Sequence, residues 1–284
     1  MTTPGSGTAT SAPQYDDDDL RMAHAVLSQP LDEAVISIVT LTDEELLAIE
    51  GVQHRQLMPL PWAAENLRTD EERAVAAATA TRGLIARGLV RSELIKDPLR
   101  VDQKGPDNEI APALRGTVVA RRTSDRVVVA ERKTTEGIAT SVFYIFDLAD
   151  GGRVLWELFD DQGVHVFSVL DVKTLPEQLI LFADPVGGIG DEDGAPQEIP
   201  SAQFAESAKA AELEGARALT SIVMRSRSEE EVAAFNLFGM PDRTELMETE
   251  GSQEEGLVRI APISRASLGE VLGSLVGDGN LASE

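Results

Sequence analysis

Between Gly116 and Val172, apolar and polar residues alternate in short runs broken by turn signals at Ser124-Asp125, Asp150-Gly151-Gly152 and Asp161-Gln162-Gly163. Period-two runs bounded by such turns predict an antiparallel β-meander. Residues 117–122 and 126–133 are expected to pair across the first turn. Residues 138–148, with Val142, Phe143, Tyr144, Ile145 and Phe146 in succession, are apolar on both faces and predict a central, doubly covered strand. Residues 154–159 and 164–172 follow after glycine-containing turns. A helix over 175–183 then ends before Pro185.

The flanks read differently. Residues 1–19 are low in complexity and end in the run Asp16 to Asp19, which predicts a disordered tail. From Leu20 to Val90 the apolar spacing is helical, with a short amphipathic segment at 20–27. The β-branched stretch 34–39 admits a strand. Thr42 followed by Glu45, and Thr69 followed by Glu72, are capping-box signatures that open helices ending at Gly51 and Gly88. Residues 91–112, with Pro98, Gly105, Pro106 and Pro112, read as loop with a short helical turn. Residues 186–200 form an acidic, glycine-rich loop. After it, 201–227 predicts a long alanine-rich helix and 228–239 a second. A hairpin at 244–249 and 257–261 and a helix at 264–276 complete the chain.

The domain plan is thus a tail (1–19), a helical region (20–110), an antiparallel sheet plus helix (111–184), an acidic loop (185–200) and C-terminal helices with a short hairpin (201–284). The fold class is α+β: a central antiparallel β-meander sheet with helical layers before and after.

Composition narrows the function classes. The 284 residues contain no cysteine, which removes disulfides, thiolate metal sites and cysteine nucleophiles. Aromatics make up only 4%, so the core must come from aliphatic side chains. A formal charge of −24 opposes nonspecific binding to a phosphate backbone and favours basic or apolar partners. No apolar run is long enough to span a bilayer. The N-terminus lacks the basic and apolar regions of a signal peptide. A soluble cytoplasmic protein is expected.

Candidate chemistry is sparse. His24, His54 and His165 fall in different elements without metal-ligand spacing, and no G-x-S-x-G elbow is present. Gly187-Gly188-Ile189-Gly190 lacks the lysine of a phosphate loop. Asp191, Asp193 and Gly194 lack the closing glutamate of a calcium loop. No enzyme activity, cofactor or metal is expected.

Charge distribution says more. Arg115, Arg121, Arg122, Arg126, Arg132 and Lys133 load the expected first hairpin with positive charge, against only Asp125 and Glu131. Residues 228–256 carry Glu229, Glu230, Glu231, Asp242, Glu245, Glu248, Glu250, Glu254 and Glu255 against one base, Arg243. The two regions could pair within a monomer or across a homodimer, or each could dock a protein partner of opposite sign. On the second reading Arg121, Arg122, Arg126 and Arg132 are the candidate partner-binding residues. Two helices followed by a basic hairpin are also the ingredients of a winged-helix DNA-binding regulator. The alanine-rich second helix and the global charge argue against that alternative.

The series Leu41-Thr42-Asp43-Glu44-Glu45-Leu46, a proline-containing break, then Thr69 to Arg73 leading into Arg82-Gly83-Leu84-Ile85-Ala86-Arg87-Gly88-Leu89-Val90 resembles the EspG-type chaperone family of actinobacterial type VII secretion. In that family an L-T-x-x-E-L-like helix start precedes an L-x-x-R-G-L-like helix end and then a meander. Gly152-Arg153-Val154, the turn at 161–163 and the helix after Leu175 look like the family's later order. The resemblance covers about half the chain, from Leu41 to Ala183, and the Ala-rich, Arg-over-Lys composition suits an actinobacterium. It implies a cytosolic, non-enzymatic chaperone that binds a helical, apolar substrate tip before export. No family binding residue carries over.

Overall fold

A computed structural model describes residues 14–92, 108–148, 151–185, 187–226, 231–250 and 256–277. It is α+β, built on a large antiparallel sheet of ten strands. The chain divides into two compact units: one of residues up to Ser28, Thr40–Thr123 and Gln162–Val164, the other of Gln29–Val39, Ser124–Asp161 and His165 onward.

The first unit is mainly helical. Its opening helix, α1 (Asp17–Leu27), corrects the expected tail, because the aspartates at 17–19 are its first turn. Asp16 accepts the Asp19 backbone N–H at 2.8 Å and Asp19 accepts that of Asp16 at 3.1 Å, so the run caps a helix instead of repelling itself apart. Residues 1–13 of that tail lie outside the described residues. Strand β1 (Val35–Thr42), whose residues 35–39 belong to the second unit, leads into α2 (Asp43–Glu50), and α3 (Pro61–Asn66) and α4 (Asp70–Ala86) follow. Both expected capping boxes are present: Thr42 with Glu45, and Thr69 with Glu72. The short strands β2 (Val90–Ser92) and β3 (Asn108–Ile110) form a separate pair.

Residues 117–122 are not a strand. They belong to α5 (Pro112–Thr123), whose buried Leu114, Thr117 and Ala120 recur at helical spacing. The β-branched Thr117-Val118-Val119 suggested a strand, but α1 and α5 pack against each other and this contact decides the conformation. A Cβ at Gly116 would overlap the Met22 carbonyl, so the glycine permits the close approach. Arg115 on α5 donates to Asp19 at 2.5 Å and holds that carboxyl below its usual range.

The second unit carries the sheet. β4 (Arg126–Thr134), β5 (Gly137–Leu148), β6 (Gly151–Asp160) and β7 (Val164–Asp171) form the expected meander, followed by α6 (Leu175–Ala183). Val142 to Phe146 are all buried, as expected of a strand covered on both faces. Then come β8 (Gln197–Pro200), the short helices α7 (Ser201–Phe204) and α8 (Ala208–Leu213), and a second meander: β9 (Ala218–Ser226), β10 (Glu231–Gly239), β11 (Thr244–Glu250) and β12 (Leu257–Pro262). Helix α9 (Arg265–Gly277) follows. The expected long helix over 201–227 is therefore corrected. Alanines dominate its first half, but Ala218, Thr220, Ile222 and Met224 are buried at period two and form a strand. The expected helix over 228–239 is likewise a strand from Glu231, with Phe235 and Leu237 facing the core.

The strand order is β1-β7-β6-β5-β4-β9-β10-β11-β12-β8. Strands β4 and β9 join the two meanders, with Val128 opposite Met224 and Ala130 opposite Ile222. The sheet thus has one plan twice: a separate edge strand, a four-strand meander, then a helix. Helices α6 and α9 pack together over one face, where Phe143, Ile145, Leu179, Ile222, Leu268 and Leu272 share a core. On the other face, Leu213 of α8 packs with Met240, Val258 and Ile260.

The acidic loop is partly structural. Asp184 accepts the backbone N–H groups of Gly188 (2.8 Å) and Ile189 (3.1 Å). Asp193 accepts from the Ser264 backbone N–H (2.6 Å) and the Ser267 hydroxyl (2.6 Å) at the start of α9. The Ser267 bond, then those to Ser264, hold the Asp193 carboxyl below its ordinary value. A depressed folded pKa means that the contribution is complete above the unfolded carboxylate range and is lost as pH falls through the folded value. Hydrogen exchange should therefore show the first turn of α9 losing amide protection as pH falls below about 4. Asp193→Ala should show that loss already at neutral pH, and equal protection in both chains would contradict the cap.

Candidate functional site

The first unit holds an open groove of ≈ 400 Å³. Leu47 of α2, Val52, Leu57, Met58 and Leu60 of the following loop, and Ala63 of α3 supply its apolar lining. His54, Gln56 and Arg73 are its polar groups; no carboxylate lines it, in a chain of charge −24. A second depression of ≈ 500 Å³ is lined by Leu67, Thr69, Glu71, Glu72, Val75 and Ala76, so it carries two carboxylates that the groove lacks. Leu57 is 38% exposed and Val75 63% exposed, though both are large and apolar. Only Ala77 and Leu84 of the seventeen residues of α4 are buried, and Ala74, Val75, Ala78 and Ala86 of this alanine-rich helix are exposed.

Local chemistry places the lining. Glycine ends α2 at Gly51, where φ is 90°, and turns the chain into the 52–60 loop. Pro59 and Pro61 then stop the chain from re-entering a helix before α3. The buried Asp43 carboxylate accepts the Ala63 N–H at 2.9 Å, which fixes the start of α3 on α2. His54 Nδ1 lies 2.5 Å from the Glu50 carbonyl oxygen, so this nitrogen carries the proton and Nε2 is left as an acceptor in the neutral ring. Arg73 donates through Nε to the Leu67 carbonyl at 3.1 Å, the sole hydrogen bond of its guanidinium among the described residues.

Behind the groove lies an ion network. The Glu50 carboxylate, 1% exposed, accepts from both Arg121 and Arg122 of α5. Arg122 also donates to the Arg55 carbonyl at 3.1 Å. Two points of the groove loop, Arg55 and His54, are thereby tied to one buried glutamate.

Of the four arginines expected to meet a partner, Arg121 and Arg122 converge on Glu50, whereas Arg126 and Arg132 have separate internal partners. Arg121 is 2% exposed and Arg122 is largely covered in this network. Arg126 pairs with Asp147 at 2.8 Å. Arg132 donates to the Phe182 carbonyl at 2.6 Å and stacks 4.6 Å above that ring, and burial pulls its pKa below the ordinary value. The basic hairpin is thus split between α5 and β4, with its cations engaged internally. On the acidic side, Glu245 is buried and accepts from Lys209 and Arg243 at 2.7 Å. Glu229, Glu230, Glu254 and Glu255 lie outside the described residues.

A second polar cluster is fully buried. Glu157 of β6 accepts from the Tyr144 hydroxyl of β5 at 2.6 Å and from His165 Nδ1 of β7 at 2.7 Å. All three are 0% exposed, so this glutamate and histidine join three strands and meet no solvent. Among the described residues no three His, Asp or Glu side chains gather as a metal site, and no helix is long and apolar enough to cross a membrane. No family model and no characterised protein matches the chain.

The groove itself was invisible to sequence reasoning, because its lining comes from α2, a loop, α3 and α4. The one signal was local: Leu57-Met58-Pro59-Leu60 is an apolar run that two prolines keep out of any regular element.

Proposed function

We propose that this protein is a non-catalytic, chaperone-like binding protein whose first-unit groove receives an apolar helical segment of a protein partner. The observation that carries this reading is the groove: aliphatic and thioether walls, exposed Leu57 and no lining carboxylate. Burial of such a surface by a partner is favourable at about 25 cal/mol per Å². Met58 adds a side chain that adapts to varied apolar surfaces. Arg73, its guanidinium bonded only through Nε among the described residues, suits an occupant with a carboxylate beside its apolar face. The lining has no Ser, Thr, Asp, Glu, Lys or Tyr to serve as nucleophile or base beside His54.

The resemblance to EspG-type proteins supports the same reading and suggests the partner class: a cytosolic substrate of type VII secretion, held by its helical tip before export. The capped helices α2 and α4 precede the meander β4–β7 and α6 along the chain, with β2, β3 and α5 between α4 and the meander. Affinity purification from the organism that encodes the chain, followed by mass spectrometry, tests the reading. Wild type should retain a helical export substrate, and Leu57→Asp should retain about tenfold less or lower still, as for a central apolar anchor. Equal recovery by both chains would remove the groove from the account. Recovery of genomic DNA fragments in a salt-dependent gel shift would favour the winged-helix alternative.

A further inference from the structure

The two ends of the sheet are built differently. At one end β8 spans four residues, Gln197-Glu198-Ile199-Pro200, and its charge and proline discourage further pairing. At the other end β1 spans eight residues, Val-Ile-Ser-Ile-Val-Thr-Leu-Thr, with no charge, proline or glycine. Among the described residues no strand pairs with its outer side. Ser37 is exposed, and Val35, Ile36, Ile38 and Val39 are each only partly covered. At the C-terminal end of the strand, Arg87 donates to the Thr40 carbonyl at 2.7 Å. A long, uncharged, β-branched edge is a template for strand addition.

The occupant is written in the strand. Val35-Ile36-Ser37-Ile38-Val39 reads identically in both directions. A two-fold symmetric interface requires a self-complementary patch, and antiparallel pairing centred on Ser37 sets each residue against its own kind. Val35 meets Val39 of the second copy, Ile36 meets Ile38, and Ser37 meets Ser37. β-Branched pairs of this sort stabilise a sheet across strands. Val35 already packs against the core beneath α6 and α9, so pairing would continue that core into the second copy. We propose that β1 pairs antiparallel with β1 of a second copy about Ser37, joining two ten-stranded sheets into one. The inference is independent of the groove, which lies in the first unit.

Net charge sets a condition. Two chains of −24 repel, and added salt screens that repulsion, the screening length falling from about 10 Å at 0.1 M to about 4 Å at 0.5 M. Association should therefore strengthen with sodium chloride, opposite to the behaviour of an ion-paired interface.

The test is sedimentation equilibrium of the full chain at both salt concentrations, with variants at Ser37. Wild type should form dimers that grow with concentration and salt. Ser37→Lys and Ser37→Glu should each weaken association by roughly fivefold or more through like charges across the two-fold axis, and an equimolar mixture of the two should restore it. Because the chain has no cysteine, Ser37→Cys carries a single thiol. Either kind of antiparallel pair sets opposed Cα atoms about 4.5 or 5.5 Å apart, within the roughly 4.4–6.8 Å of a disulfide. Ser37→Cys should thus oxidise to a covalent dimer faster than Glu198→Cys on the opposite edge. A monomer at both salt concentrations would overturn the proposal. So would a dimer indifferent to both charged variants, or equal oxidation of the two cysteine variants.

Discussion

Substituting Glu50 by alanine is expected to cost about 3–5 kcal/mol of stability, the range found when one partner of a buried ion pair is removed. Glu50 and Arg121 have side chains 1% exposed, and the guanidinium of Arg121 can neither leave nor lose its proton. Truncation removes the carboxylate shared by Arg121 and Arg122 and leaves the first with buried charge in excess of its remaining partners. Urea denaturation measures the loss. Combining it with Arg121→Met should cost less than the sum of the single changes, because the second substitution deletes the charge that the first exposes to apolar surroundings. Hydrogen exchange adds a local readout: amides of residues 51–60 should lose protection as Arg122 loosens its hold on the Arg55 carbonyl. A loss of under about 1 kcal/mol, typical of exposed pairs, would show that the network is not closed to water.

Glu157→Ala is the second large effect, again about 3–5 kcal/mol. The change takes the carboxylate acceptor from the Tyr144 hydroxyl and from His165 Nδ1, and losing a buried acceptor costs about 1–3 kcal/mol per donor. It also opens a cavity between strands. The ring of His165 stacks 4.5 Å from Phe159, so reorientation to find another acceptor would break an aromatic contact as well. Tyr144→Phe should be milder, since it removes one donor and keeps the ring. Thermal unfolding of both variants orders the costs; a Phe substitution as damaging as Glu157→Ala would mean that the hydroxyl, not the carboxylate, organises the cluster.

What could be read from the chain follows the range of the interactions. Capping boxes are local, three residues apart, so Thr42/Glu45 and Thr69/Glu72 were legible and their helices fall where expected. The β4–β7 meander was legible because glycine turns separate its runs. Helix α5 was not: Thr117-Val118-Val119 has strand propensity, and only the fit of Gly116 against Met22 shows why a helix prevails. Strand β9 was hidden behind a run of alanines whose helical propensity ends sooner than the composition suggests.

The site failed for a related reason. Arg121 and Arg122 look like surface charges in sequence, since arginine is seldom buried unless paired. Their partner Glu50 is 71 residues from Arg121, and nothing local announces it. The structure turns these residues from contacts for a partner into supports behind the loop that lines the groove.

The central claim is that a protein partner lies in that groove, and site-specific photo-crosslinking asks it most directly. A photoreactive amino acid at Leu57, in the chain expressed in the organism that encodes it, is predicted to form an adduct with a helical segment of a protein substrate. The same group at Glu198, on the exposed edge strand of the second unit, should form none with that substrate. Equal labelling of the substrate from both positions, or no adduct from Leu57 while the complex is intact, would contradict the account.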